Sequence, residues 1–216
     1  MDFFREVSKR ITPFMKEKGF VLSRRNYYYI ANSIAFCIAF DIPSGQMYVT
    51  AYVMPLYIPC DCTYYTYGNR LNAIHDVNLP TLSRESSETT IDEWCKLLCY
   101  GIDRYIVPFF TKVESANKLL EFVDKFIYYP NSYIACHELY IWRLKMFTLL
   151  HAHDFININH AITRYREELN SISFLSNKVL QKYKEEIDKV ESLIQTKELV
   201  KEFCASVEID TRKILQ

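Results

Sequence analysis

Three histidines and an aspartate lie close together in the sequence, at His151, His153, Asp154 and His160. Imidazole and carboxylate groups are common ligands of transition metals, so this stretch is compatible with a metal-dependent hydrolase. Two histidines one residue apart on a helix point about 200° away from each other, and they converge only if Ala152 lies in a turn. We therefore interpret the histidines as polar caps or surface residues. A hydrolase that uses His151, His153 and His160 is kept as an alternative.

Seven cysteines form a second set of potential ligands, at Cys37, Cys60, Cys62, Cys95, Cys99, Cys136 and Cys204. The spacing of Cys60 and Cys62 is too tight for a zinc knuckle, in which about two to four residues separate the thiolates. Cys95 and Cys99 fall in a predicted helix, where thiols at i,i+4 spacing pack in a core. The odd count and the absence of a signal-peptide core near the N-terminus favour free thiols in the cytoplasm.

No motif in the chain specifies a reaction. The 216 residues include only four glycines, with no nucleophile elbow and no glycine-rich phosphate loop. The acidic pairs 92–93 and 167–168 suit the start of a helix or a solvated face. We therefore expect no catalytic residues, no cofactor and no bound metal, although the sequence does not decide whether the protein is an enzyme. No apolar run approaches the roughly 18 residues of a membrane span, so we expect no membrane partner.

The sequence RRNYYY at residues 24–29 combines cations with aromatic rings, a mixture that can stack single-stranded bases. Lysine and arginine together number 26, as do aspartate and glutamate, so the formal net charge is zero. Proteins that bind nucleic acid through phosphates usually carry a basic surplus. We therefore favour an edge strand whose tyrosines are half buried, and we keep a single-stranded nucleic-acid binder as an alternative.

A tyrosine-rich stretch between residues 57 and 70, here called the tyrosine segment, is the best candidate for an interaction site. Tyrosine and arginine are enriched where proteins contact partners, because they offer a large area at low entropic cost. Several of these tyrosines could equally cover the sheet, and both interpretations stay open. The candidate residues for contact with a protein are Tyr57, Tyr64, Tyr65, Tyr67, Asn69 and Arg70.

The first predicted element is an amphipathic helix over residues 3–18, which ends at Gly19. Strands are predicted at residues 20–30, 33–41 and 47–54, and the short turns between them indicate antiparallel pairing. Large and small side chains alternate in the second strand. We expect the large ones to fill a core and the small ones to face the first helix. Residues 55–89 form a long connection, with a short helix or edge strand near residues 70–74.

The C-terminal half is predicted to be helical. Thr90 and Glu93 form a capping box for a helix whose apolar stripe includes Leu97 and which ends or kinks at Pro108. Further helices are predicted at residues 115–126, 130–152 and 154–169, with a last long one from Ser176. The fold class is therefore α+β: an N-terminal helix and a small antiparallel sheet, followed by stacked helical hairpins. We divide the chain into an α+β domain at 1–112 and a helical domain at 113–216, which could share one core.

The segment ITPFMKEKGFVLSRRNYYY at residues 11–29 and the two alternating strands after it resemble a bacterial domain-of-unknown-function family. Members of that family begin with a helix that ends in a Gly-Phe pair and continue into a small sheet. The sequence IVPFF at residues 106–110 is similar to the proline–phenylalanine end of a later helix in the family. The resemblance covers residues 3–112 and implies the fold and a cytoplasmic location, but no established activity.

Taken together, these patterns predict a cytoplasmic bacterial protein that binds another protein without catalysing a reaction. An immunity- or defence-associated role is an analogy only. We do not expect a nucleic-acid partner, and the oligomeric state is left open.

Overall fold

Eight α-helices and six strands make up the part of the chain that the computed structural model describes, residues 3–61, 67–73, 79–126 and 138–216. The helices are α1 (Phe3–Glu17), α2 (Glu88–Gly101), α3 (Val107–Lys112), α4 (Ala116–Phe126), α5 (Glu138–His151), α6 (Ile158–Ser171), α7 (Asn177–Gln195) and α8 (Glu198–Leu215). The strands are β1 (Val21–Ser23), β2 (Asn26–Ala31), β3 (Ile34–Asp41), β4 (Gln46–Pro55), β5 (Tyr67–Arg70) and β6 (Leu82–Ser83). This order confirms the predicted α+β class.

Helix α1 ends at Gly19, as the sequence predicts. Gly19 has a φ of +83°, and its backbone N–H donates to the Lys16 carbonyl at 2.9 Å. The Phe20 N–H donates to the Met15 carbonyl at 2.9 Å, which completes a Schellman motif. Only glycine adopts this left-handed conformation without strain from a Cβ atom, so the residue type fixes where the helix stops.

The sheet is antiparallel in the order β1-β2-β3-β4-β5, and the short strand β6 pairs with β4. The single strand predicted at residues 20–30 is wrong, because Arg24 and Arg25 form a turn between β1 and β2, in which Ser23 pairs with Asn26. A second two-residue turn joins β2 to β3 through Asn32 (φ 49°) and Ser33 (φ 61°). Positive φ at both positions is typical of the type I′ turn, whose twist matches that of the flanking strands.

The two faces of β3 meet different helices. Its large side chains pack towards α1, where the Phe4 and Phe40 ring centroids are 5.4 Å apart. Its small side chains at Ala35, Cys37 and Ala39 form a second apolar cluster with Leu215 at the end of α8. The expectation that the small side chains face α1 is therefore wrong. Bulky residues fill the space under α1, and the small residues leave room for the end of α8.

Helix α8 is absent from the sequence-based prediction, which ends with one long helix from Ser176. That helix stops at Gln195, and a second begins at Glu198. Buried residues on α8 include Val200 and Cys204, which join the main core.

The N-cap of helix α2 lies three residues before the predicted one. Ser87, not Thr90, is the N-cap residue, and its hydroxyl accepts a hydrogen bond from the Thr90 N–H at 3.2 Å. Pro108 does not end the helix, because a π-helical turn at Ile102–Ile106 leads directly into α3. A proline in an α-helix lacks an N–H and clashes with the carbonyl four residues earlier, and the wider π-helical turn accommodates it.

One buried apolar cluster runs from Phe3 in α1 to Cys204 in α8 and draws on both predicted parts of the chain. The boundary at residues 112 and 113 stays a prediction. The helix predicted from Pro130 appears as α5 from Glu138, and residues 127–137 lie outside the described ones. None of the described helices is long and apolar enough to cross a membrane.

Candidate functional site

Tyr57 of the tyrosine segment is fully buried. Its hydroxyl donates to Thr148 Oγ1 at 3.2 Å, and its ring stacks on the His151 imidazole with centroids 4.2 Å apart and planes 9° apart. Burial raises the pKa of Tyr57 above its ordinary value. A side chain in the core does not reach a partner at the surface, so Tyr57 leaves the predicted set of contact residues.

The structure describes only some of the other predicted contact residues. Tyr64 and Tyr65 lie outside the described residues, and Tyr67 and Asn69 are described only through the backbone of β5, opposite Val53 and Ala51 of β4. Arg70 is exposed, with its guanidinium carbon 4.8 Å from the centroid of the Tyr48 ring. The tyrosine segment as an interaction surface therefore stays a prediction.

Gly68 determines how closely β5 approaches β4. A Cβ atom added at Gly68 would lie 2.3 Å from Tyr52 Cβ and 2.5 Å from the carbonyl oxygen of Ala51. No other residue type fits without moving one strand away from its neighbour, so glycine at this position holds the backbone of β5 against the sheet.

The three histidines face three different aromatic rings. Ala152 does lie in a turn, but the ring of His151 stacks on Tyr57, while His153 contacts Phe155 at 5.9 Å between centroids. His160 meets Trp142 edge-on, with centroids 5.5 Å apart. Among the described residues, no group of three or more histidine, cysteine, aspartate or glutamate side chains is placed to hold a metal ion.

The cysteines that the structure describes are free thiols: Cys37, Cys60, Cys95, Cys99 and Cys204. Burial raises the pKa of Cys95 to about 12 and that of Cys99 to about 11. A protonated thiol is a poor nucleophile and a poor metal ligand, so this pair is suited to packing. Cys62 and Cys136 lie outside the described residues.

The tyrosines at residues 27–29 do not form an open stacking platform. Tyr27 is fully buried, with its oxygen 2.7 Å from Thr12 Oγ1, and Tyr29 stacks on Phe36 at 4.8 Å. Tyr28 points to the opposite face of the sheet and packs beside the small apolar cluster. The alternation of the strand therefore places the Tyr27 ring in the core and the Tyr29 ring partly buried against it.

A polar cleft with a volume of about 390 Å³ lies beside His151. Three elements supply its walls: the β2–β3 turn, the start of α4 and the end of α5. We call it the His151 cleft and define it by its polar lining residues Asn32, Ser33, Ser115, Asn117 and His151. Of these residues the sequence pattern indicates only His151, because segments that are distant in sequence supply the others.

Hydrogen bonds fix the walls of the His151 cleft. Asn32 Nδ2 donates to the Glu114 carbonyl at 2.9 Å, which ties the turn to the segment before α4. The Ser33 hydroxyl donates to Glu208 Oε2 at 2.7 Å. Arg212 Nη2 donates to the other Glu208 oxygen at 2.5 Å. The turn is therefore anchored on both sides.

The electrostatics of the His151 cleft leave it close to neutral. Burial lowers the pKa of His151, and the nearby Glu208 carboxylate opposes that shift only in part. Burial would raise the pKa of Glu208, but hydrogen bonds from Arg212 and Ser33 outweigh it, so the net shift is downward. At neutral pH the imidazole is uncharged, and the carboxylate behind Ser33 is paired with Arg212.

A second exposed region lies on the outer side of α2 and the π-helical turn. The side chains of Leu97 and Tyr100 are 47% and 60% exposed, and Arg104 one turn later is also exposed. We call Leu97, Tyr100 and Arg104 the Tyr100 face. The sequence pattern predicts Leu97 on the buried stripe. The structure corrects this, because Trp94, Leu98 and Ile102 already fill the core side of the helix.

Ion pairs hold the Tyr100 face against α1. Arg10 Nε donates to Asp92 Oδ1 at 2.5 Å near the start of α2. Lys18 pairs with Asp103 in the π-helical turn, at the other end of the same contact. The Tyr100 ring also meets the Tyr105 ring edge-on, with centroids 6.4 Å apart. Tyr100 is thus supported from one side while most of its ring remains exposed to solvent.

No protein-family model matches this chain, and neither a curated protein nor a solved structure matches it. The fold defines an α+β protein with two surfaces of interest, the Tyr100 face and the His151 cleft.

Proposed function

We propose that this protein acts by binding another protein through the Tyr100 face and that it catalyses no reaction there. The observation that carries the proposal is the exposure of Leu97 and Tyr100 on one side of one helix. Among the described residues, they are the one pair of exposed large apolar side chains separated by a single helical turn. Single exposed apolar residues are ordinary on protein surfaces, whereas neighbouring ones are a feature of contact sites.

The residue types of the Tyr100 face also support a protein partner. Tyrosine and arginine are over-represented among the residues that contribute most to binding, and leucine adds apolar area beside them. The guanidinium of Arg104 can donate two parallel hydrogen bonds to a partner carboxylate. Truncation of a central tyrosine in such a patch typically costs about 2 kcal/mol or more of binding free energy, which is roughly a 30-fold change in Kd.

The support behind the Tyr100 face favours binding without rearrangement. Buried Trp94 and Leu98 anchor the inner side of the helix, and the Arg10–Asp92 and Lys18–Asp103 pairs join its two ends to α1 and to the residue that follows α1. A partner that binds a rigid helix face pays little conformational entropy for ordering it.

We place this function in the cytoplasm, because the free, mostly buried thiols suit a reducing compartment. Bacterial origin and an immunity or defence role stay predictions from the resemblance and the analogy described above.

Affinity capture from extracts of the native cells tests the proposal when three baits are compared: the wild type, Tyr100→Ala and Ile209→Ala. Ile209 is a matched control, because it lies on helix α8 and is 59% exposed against 60% for Tyr100. We expect quantitative mass spectrometry to find proteins that the wild type and Ile209→Ala retain and Tyr100→Ala loses. If the Tyr100→Ala bait retains the same proteins as the wild type, the Tyr100 face is not the binding surface.

A further inference from the structure

The His151 cleft carries a ligand hypothesis that is independent of protein binding at the Tyr100 face. Its volume of about 390 Å³ lies near the lower end of the range for small-molecule sites, about 300–1,000 Å³. A single ring-sized molecule therefore fits. The site is also built from three elements that hydrogen bonds already hold in place, so little order has to be gained on binding.

The charge of the cleft selects against ions. Among the described residues that line it, none carries a side chain that is charged at neutral pH, given the lowered pKa of His151. Two carboxylates flank the lining residues: Glu208 is held by Arg212 and by the Ser33 hydroxyl, and Glu114 is paired with Lys118. A charged ligand would lose its hydration without meeting a free counter-charge, whereas a neutral polar ligand avoids that cost.

The cleft offers both hydrogen-bond acceptors and donors. The Ser33 proton is directed to Glu208, so the oxygen of this hydroxyl remains as an acceptor. The Asn32 NH₂ group donates to the Glu114 carbonyl, which leaves its amide oxygen to accept. Ser115 Oγ accepts from the Lys118 N–H at 3.3 Å and keeps its own proton to donate. Asn117 adds an amide that can both donate and accept.

Ligand hydroxyl groups match this arrangement, because each hydroxyl donates one hydrogen bond and accepts others. Tyr57 fixes the plane of the His151 ring, so the imidazole nitrogens keep one direction. We propose that the His151 cleft binds a neutral, hydroxyl-rich molecule of monosaccharide size, with Asn117, Ser33 and His151 as its main hydrogen-bonding contacts.

The residue at position 33 supports this proposal. Ser33 has a φ of 61° in a type I′ turn, where glycine is usual and a residue with a Cβ atom is strained. Ser33→Gly would relieve that strain and delete the hydroxyl at the cleft. The relieved strain offsets the loss of the Ser33–Glu208 hydrogen bond, so we expect this variant to stay folded and to bind the ligand about fivefold to tenfold more weakly, the usual effect of one lost hydrogen bond.

Nuclear magnetic resonance titration of the full chain tests the proposal, with glucose, galactose, mannose and ribose as probes up to about 50 mM, enough to detect even a Kd in the millimolar range. We expect at least one sugar to shift the backbone amide signals of Asn117 and His151. Asn117→Ala should weaken that binding about fivefold to tenfold. Asn159→Ala is the matched control, because both asparagines are the second residue of a helix, and it should bind as the wild type does.

Three results would overturn the proposal. One is that none of the four sugars shifts the signals of the cleft. Another is that Asn117→Ala and Ser33→Gly bind the sugar as tightly as the wild type, which would place the contact elsewhere. The third is that gluconate or glucose 6-phosphate binds more tightly than the neutral sugar, which would make the site an anion site. The protein-capture result at the Tyr100 face is unaffected by any of these outcomes.

Discussion

Tyr57 and Tyr100 are the same residue type in two regions of the molecule, and their surroundings assign them opposite roles. Tyr57 is fully buried, with its hydroxyl on Thr148 and its ring on His151. Tyr100 is 60% exposed, and its ring meets the Tyr105 ring edge-on. An abundance of tyrosine therefore does not by itself mark a binding surface. Burial determines whether a tyrosine ring stabilises the fold or remains available to a partner.

We expect the largest loss of stability from substitutions at Tyr57. Tyr57→Ala removes a buried ring and leaves the Thr148 hydroxyl without one of its contacts, so it should lower the free energy of unfolding by about 3–5 kcal/mol. Tyr57→Phe keeps the ring and removes only the hydrogen bond, so it should cost about 1 kcal/mol. Urea unfolding measures both values. A loss below about 1 kcal/mol for Tyr57→Ala would show that the ring is not part of the core.

A buried ion pair between α5 and α7 also stabilises the fold. Arg143 is buried and donates two hydrogen bonds to the Glu186 carboxylate, each 2.7 Å long, and one to the Pro59 carbonyl at 2.6 Å. Arg143→Met leaves the carboxylate and the carbonyl without this donor, and we expect a loss of about 3 kcal/mol in unfolding free energy.

The double variant Arg143→Met with Glu186→Met serves as the control, because it removes both charges. Its stability should recover at least part of the loss, as measured by the same urea titration. If the single variant is as stable as the wild type, the pair does not hold α5 to α7.

A smaller effect is the contribution of His151 to the pH dependence of stability. Burial lowers the pKa of His151 in the folded state, so the unfolded chain binds a proton more readily than the folded one as the pH falls. Stability from this residue is present above the ordinary histidine pKa of about 6.5 and is lost as the pH falls through and below that value. His151→Gln should therefore show a flatter stability profile between about pH 7 and pH 5 than the wild type. An equal or steeper profile would contradict the assigned direction.

We expect the smallest change in stability from a substitution at the exposed Tyr100. Tyr100→Ala removes a ring that is mostly in water, so the free energy of unfolding should change by no more than about 0.5 kcal/mol. Ile209→Ala should behave in the same way. If Tyr100→Ala, but not Ile209→Ala, lowers the free energy of unfolding by several kcal/mol, the Tyr100 ring is structural, as the Tyr57 ring is.

Local patterns predict much of the fold. The stripe of α1, its end at Gly19 and the alternation in β3 and β4 all follow from spacing and turn chemistry. The turn at Arg24 was missed because no glycine or asparagine marks it, although Arg24 adopts a φ of 53°. The break between α7 and α8 was missed for a similar reason, since residues 196–197 contain neither glycine nor proline.

The candidate sites were harder to predict because they depend on packing between distant segments. The Asn32 amide meets the Glu114 carbonyl across 82 residues of sequence, and no local pattern indicates that contact. Leu97 was placed on the core side of α2 because its spacing from Trp94 and Leu98 permits either side. Only the packed structure, with the core side of α2 already filled, shows that Leu97 is left outside.

The Kd of a partner captured by the wild type, measured by isothermal titration calorimetry against the wild type, Tyr100→Ala and Ile209→Ala, directly tests whether the Tyr100 face is the binding surface. We predict a Kd roughly 30-fold weaker for Tyr100→Ala and less than about twofold different for Ile209→Ala. Equal Kd values for the wild type and Tyr100→Ala would contradict the assignment of the Tyr100 face as the binding surface.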